Sequence, residues 1–152
     1  MKQSIAYGMK KVNAPFIILS CEGHDFYFLI DTGSTENHLI SYGYEYLKQF
    51  YPDHLAEGPK DTSYSTAGLG GEFECIACEF SFDLCGERQK DLFTILPSSA
   101  VFVQISKLLD SPVCGILGNK FLAEHGIVID YVSQMIYTKR NYNTKKRAAT
   151  LQ

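Results

Sequence analysis

The chain has no tryptophan among its 152 residues, and no apolar run near the ~18 residues that a membrane helix needs. It has no excess of positive charge either. A net charge of −3 excludes the broad basic field of a general nucleic-acid binder. No glycine-rich pattern ends in Lys-Ser or Lys-Thr, so a phosphate loop is absent. Cysteine is present but odd in number, at five, which rules out a fully paired disulfide framework within one chain. Cys75-x-x-Cys78, with Cys85 beyond, invites a zinc reading, but no histidine follows at finger spacing. On a strand, positions three apart face opposite sides of the sheet. These thiols are therefore read as packing groups in a reducing compartment, which points to the cytoplasm. No cofactor or metal is expected.

The N-terminal stretch "MKQSIAYGMKKVNAPFIILSCEG" has the outline of a lipoprotein signal, with early lysines and an apolar run ending at Cys21. The run is shorter than the usual core of ~7–15 residues, and Pro15 stands at its start. Cleavage there would also remove the strand expected to pair with residues 26–30. These features favour the cytoplasm, with export kept as the alternative.

What is present suits one globular domain: 45% hydrophobic and 20% charged residues, with Phe and Tyr as the aromatics. Residues 14–20 and 25–30 are rich in β-formers and joined through Gly23, which reads as a hairpin. Ser41 is placed to cap a helix over "YGYEYLKQFY" that Pro52 stops, and residues 52–63 read as loop. Positions 74, 76, 78, 80, 82 and 84 alternate as Glu, Ile, Cys, Phe, Phe and Leu, a long strand with one apolar face. "CGERQK" turns it and "DLFTIL" returns. Ser98 or Ser99 starts a helix over "AVFVQISKLL", ending near Pro112. "VCGILG" is a further apolar segment, "NKFLAEH" a short helix closed by Gly126, and "IVIDYVSQMIYT" a final hairpin. The fold class is mainly β with short helices. Residues 1–140 form the domain, and 141–152 a basic, flexible, solvated tail.

The chemistry centres on "FYFLIDTGSTENHLI", residues 26–40, where an apolar strand delivers Asp31 into a tight turn. A carboxylate that activates water for amide hydrolysis needs a second carboxyl close by. Two such groups share one proton, because like charges ~3 Å apart cannot both ionise. One acts as base toward water while the other polarises the carbonyl. The turn supplies Thr32 for a cross-site hydrogen bond, Gly33 for close backbone approach, and Ser34 as a hydroxyl donor to Asp31.

The order of segments resembles the retropepsin family of aspartic proteases over about residues 14–138. An apolar hairpin leads to Asp31-Thr32-Gly33-Ser34. A glycine-rich tip follows at Gly68, Leu69, Gly70 and Gly71, then a long hairpin, Ile116-Leu117-Gly118, a short helix and a closing strand. The resemblance implies a retropepsin-like barrel with one lobe per chain, and an endopeptidase whose flap at 68–71 closes over bound peptide. It also implies that Ile116, Leu117 and Gly118 support the loop bearing Asp31. The chain holds one Asp-Thr-Gly. "DTS" at 61–63 follows "AEGPK" rather than an apolar strand. The partner of Asp31 is therefore expected to be Asp31 of a second copy across a two-fold axis. The expected partners are a second copy and a peptide or protein substrate, with no nucleic acid and no membrane.

Three features depart from the viral pattern, and the first two look more like cellular and bacterial members. The segment from Asp31 to the flap is longer, and the helix near 99–109 is an addition. Asn119 and Thr35 replace residues that form an ion pair bracing viral dimers. Among other candidates, Asp130 in "VIDYV" lacks the Thr-Gly turn and reads as a paired or surface strand carboxylate. His38 reads as a structural or surface residue. The rival to the enzyme is a non-catalytic module that keeps this fold for peptide or partner capture.

Overall fold

The computed structural model describes residues 2–58, 64–66, 71–73 and 76–139. The expected tail at 141–152 lies outside these residues, as do Gly68, Leu69 and Gly70. Twelve strands and four α-helices follow one another along the described chain. They are β1 Gln3–Ser4, α1 Ala6–Val12, β2 Phe16–Cys21, β3 His24–Asp31, β4 Asn37–Ile40 and α2 Ser41–Phe50. Then come β5 Leu55–Glu57, β6 Tyr64–Thr66, β7 Gly71–Phe73, β8 Ala77–Leu84 and β9 Glu87–Leu96. The last are α3 Ala100–Leu109, β10 Val113–Gly118, α4 Asn119–Glu124, β11 Ile127–Asp130 and β12 Met135–Thr138.

Seven strands make the main sheet in the order β2-β3-β10-β4-β9-β8-β5. A further pairing of Ser20 on β2 with Asp83 on β8 closes six of them into a barrel. The two hairpins at its heart are set by local chemistry. Glu22-Gly23 and Cys85-Gly86 each place two successive residues at positive φ (50° and 79°, 52° and 78°). That geometry matches the twist of the strands it joins, and glycine adopts the second position freely. Alternation along β3 and β8 sends Phe26, Phe28, Phe80 and Phe82 inward. There they meet Phe93 and Phe121, with Phe28 stacked on Phe80 at 6.1 Å and Phe93 edge-on to both.

The other face of β3 carries Tyr27 and Leu29, which pack in a second cluster with Phe16, Ile40, Leu109, Val113 and, from α3, Phe102 and Ile105. The added helix therefore lies on the face of β3 opposite the aromatic core. The Ser106 hydroxyl accepts from the Val113 N–H at 3.0 Å and fastens α3 to the start of β10.

Several expectations need correcting. Ile76 fits the apolar alternation by parity, but it precedes β8 and is 69% exposed; the buried alternation runs through Cys78, Phe80, Phe82 and Leu84. Residues 55–57, expected as loop, pair with β8. Ser41 does not cap α2. Ile40 occupies that position, and the Ser41 hydroxyl accepts from the Ser98 N–H instead. β1 and α1 were not expected at all. α1 tolerates a glycine because Gly8 packs against backbone: a Cβ there would fall 2.6 Å from the Ala14 carbonyl oxygen.

Cys21, Cys78, Cys85 and Cys114 are free and buried. Burial raises the thiol pKa of Cys85 and pushes those of Cys21, Cys78 and Cys114 up to about 12. The thiolate is the nucleophile. In the folded protein at pH 8, these three are therefore expected to resist iodoacetamide and to react fully only after denaturation. Peptide mapping of alkylated sites checks this.

Candidate active site

Asp31 ends β3, and the strand beside it is what fixes it in place. β10 lies between β3 and β4, parallel to the first and antiparallel to the second. Leu117 is level with Ile30 and Gly118 with Asp31, while Ile116 is level with His38. The chain thus leaves β3 at Asp31, crosses the end of β10 through residues 32–36, and returns along the other side as β4.

Close backbone contact ties this crossing down. The Asn119 N–H donates to the Ser34 carbonyl at 2.7 Å, and the Lys120 N–H to the Thr35 carbonyl at 3.2 Å. An ideal Cβ on Gly118 would fall 2.3 Å from the Glu36 carbonyl oxygen and 2.9 Å from that of Ser34. Only glycine lets the strand end pass beneath the loop. Positions 119 and 35, which lack the side chains of the viral ion pair, are thus engaged through main-chain groups.

Within the turn, the Gly33 N–H donates to Asp31 Oδ1 at 2.9 Å, and the Ser34 N–H to the Asp31 carbonyl at 3.1 Å. Thr32 and Gly33 are exposed at the tip, and Asp31 is half-buried. Ser34 departs from expectation. Its hydroxyl donates to the Glu36 carbonyl at 2.9 Å rather than to Asp31, because the turn carries it toward the crossing strand. The second oxygen of Asp31 is therefore not engaged by Ser34.

Sequence reasoning missed Asn37. It is buried, its Oδ1 accepts from the Gly118 N–H at 2.9 Å, and its Nδ2 donates to Asp91 Oδ2 at 3.1 Å and to the Leu92 carbonyl at 3.2 Å. One amide side chain thus joins the Asp31 crossing, β10 and β9. The only signal was an asparagine opening an apolar strand. Asn37→Leu leaves the buried Gly118 N–H without its acceptor. The expected loss is about 1–3 kcal/mol of unfolding free energy, measured by denaturant titration.

The remaining candidates fall elsewhere. Gly71 opens β7, which pairs with β6 so that Thr66 is level with Gly71; residues 67–70 connect the two. Asp130 caps its own turn, accepting from the Val132 and Ser133 N–H groups at 2.9 and 3.1 Å, and those bonds hold its pKa below the usual value. His38 is buried and its Nδ1 pairs with the Thr94 hydroxyl. Among the described residues no cluster of His, Cys, Asp or Glu is arranged to hold a metal ion.

No protein-family model matches the chain, and no curated protein does. Solved structures do. The retroviral protease-like domain of Ddi1 from Leishmania major superimposes with a TM-score of 0.53 at 13% identity, over 81% of this chain and 86% of that one. A retropepsin-like aspartic protease from Rickettsia conorii gives 0.52 at 16% identity, over 90% and 86%. The EIAV protease complexed with the inhibitor HBY-793 gives 0.48 at 22% identity, over 73% and 86%. At these identities the likeness is one of fold, and it rests on the first two.

Proposed function

We propose that this chain, which has the fold of the retropepsin-like aspartic proteases, is one half of an aspartic endopeptidase. Asp31 from each of two copies meets at a two-fold axis to form the reaction centre. The observation that carries this reading is a half-buried carboxylate on a rigid strand end, held by the Gly33 N–H beside an exposed Thr32-Gly33 tip. One such turn per chain makes the site incomplete without a second copy.

In the assembled site one carboxyl is ionised and its neighbour keeps its proton, since two charges at that separation cannot coexist. The ionised oxygen takes a proton from water as the water oxygen bonds to the peptide carbonyl carbon. The protonated partner gives its hydrogen to the carbonyl oxygen. The resulting diol then collapses: one hydroxyl returns its proton to the partner carboxylate as the new carboxyl forms, the C–N bond breaks, and the amine leaves with the proton that the base had taken, which restores the pair. Substrate would lie as an added strand, gripped through its main chain with side chains in alternate pockets.

Subunit mixing tests the shared site. An Asp31→Asn chain added to the wild type should poison it. With the total chain concentration held constant, cleavage of a peptide library should then fall as the square of the wild-type fraction once the subunits have exchanged. A fall in simple proportion to that fraction would place a whole site in each chain.

A further inference from the structure

Asp31 and His38 lie on the same face of the barrel wall, two strands apart. Leu29 is level with Ile116, Ile116 with His38, and His38 with Thr94. Level residues on neighbouring strands point to the same side, so these four form a row across β3, β10, β4 and β9. Asp31 follows Leu29 by two residues on β3 and shares its side. Its own level on β10 is held by Gly118, so β10 raises no side chain there. α3 and its neighbours cover Tyr27, Leu29 and Ile40 on this face, a cluster that ends two residues short of Asp31 on β3 and begins two residues beyond His38 on β4. An imidazole and a carboxylate are thus left on the same stretch of wall, about 10 Å apart across the strands and about 7 Å along them at the backbone. The Thr94 hydroxyl holds His38 Nδ1 and fixes the ring.

We infer that His38 is a positioning residue that acts on Asp31 through its charge. As an imidazolium it stabilises the ionised carboxylate and carries activity to lower pH; as neutral imidazole it leaves the carboxyl pair unaided. The link to catalysis rests on the reading of Asp31 as the reacting group. Burial lowers the His38 pKa, and the Asp31 carboxylate opposes that fall. Linkage makes the interaction mutual, so whatever the ionised carboxylate does to favour the imidazolium, the imidazolium does to favour the ionised carboxylate.

The other titratable groups on the elements around His38 do not duplicate the effect. Asp91 on β9 lies on the opposite face with its carboxylate engaged by Asn37. Burial keeps Cys114 on β10 and Tyr42 on α2 neutral by raising their pKa values. Glu45 and Lys48 pair with each other on the exposed side of α2. Glu36, on the crossing itself, is unchanged in every variant below.

Two measurements decide the matter. The first is an NMR titration of the His38 ring in the wild type and in Asp31→Asn. The midpoint should fall by at least about 0.3 pH unit when the carboxylate is lost. An unmoved midpoint overturns the inference. The second is the pH dependence of kcat/KM for His38→Asn, which keeps a polar partner for Thr94. If the imidazolium supports the ionised carboxylate on the acidic limb, removing it should shift that limb upward by about half a pH unit. A uniform loss at every pH, with the limb unmoved, marks a purely structural histidine and also overturns it. If the wild type cleaves no peptide, the protease reading fails, and the NMR midpoint alone decides whether the two groups are linked.

Discussion

Asp31→Asn is expected to lower kcat/KM for peptide cleavage by at least about 10³-fold while leaving the melting temperature and self-association of the protein unchanged. The asparagine is nearly isosteric, and its Oδ1 can still accept the 2.9 Å bond from the Gly33 N–H. The turn keeps its geometry, since the change adds no heavy atom and removes no bond from the Gly33 N–H. What disappears is ionisation. A neutral amide cannot take a proton from water, and a pair with one amide cannot share a single proton. Steady-state kinetics beside thermal denaturation and sedimentation equilibrium separate the outcomes. Residual cleavage close to wild type would move the chemistry to another group. Equal peptide binding by both proteins, with cleavage by neither, would favour the capture module.

Gly118→Ala should be the most damaging one-carbon addition near the site. The new methyl would lie 2.3 Å from the Glu36 carbonyl oxygen, 2.6 Å from its carbon and 2.9 Å from the Ser34 carbonyl oxygen. All three are backbone atoms, so no side chain can rotate away. Either β10 withdraws from the crossing or residues 34–36 lift off it. Both moves lengthen the bonds from the Asn119 N–H to the Ser34 carbonyl and from the Gly118 N–H to Asn37 Oδ1. The expected cost is about 1–3 kcal/mol of stability. Cleavage should fall by about 10²-fold beyond what the unfolded fraction explains, because Asp31 is displaced. Gly115→Ala is the comparison. Its methyl would meet the His38 carbonyl oxygen at 2.3 Å and the Phe28 ring at 2.5 Å, so it strains β4 and the core rather than the turn. If both variants lose stability and activity in step, Gly118 has no special hold on Asp31.

The main strands and the site turn were legible because each carries its own signal. Alternation marks β8, two-residue turns with glycine mark both hairpins, and an apolar strand ending in Asp-Thr-Gly marks β3. What could not be read depends on partners distant in sequence. Gly8 argues against a helix until Ala14 and Phe16 are seen pressed against it. Residues 55–57 sit in a proline- and glycine-rich stretch and become a strand only because β8 offers an edge. Ile76 fits the alternation by parity, yet it lies just before the strand begins. Ser34 follows Asp31 closely enough to suggest a bond, but the crossing turns its hydroxyl to Glu36. Asn37 was invisible as a brace because its acceptors and donor lie 54 to 81 residues away.

In the small sheet β1-β12-β11, β12 takes as its neighbour the β1 strand of its own chain. Among the described residues all three of its strands come from one chain. Refolding of this protein should accordingly be unimolecular, with tyrosine fluorescence recovering at a rate independent of dilution. Hydrolytic power would return later, at a pace set by how often refolded chains collide.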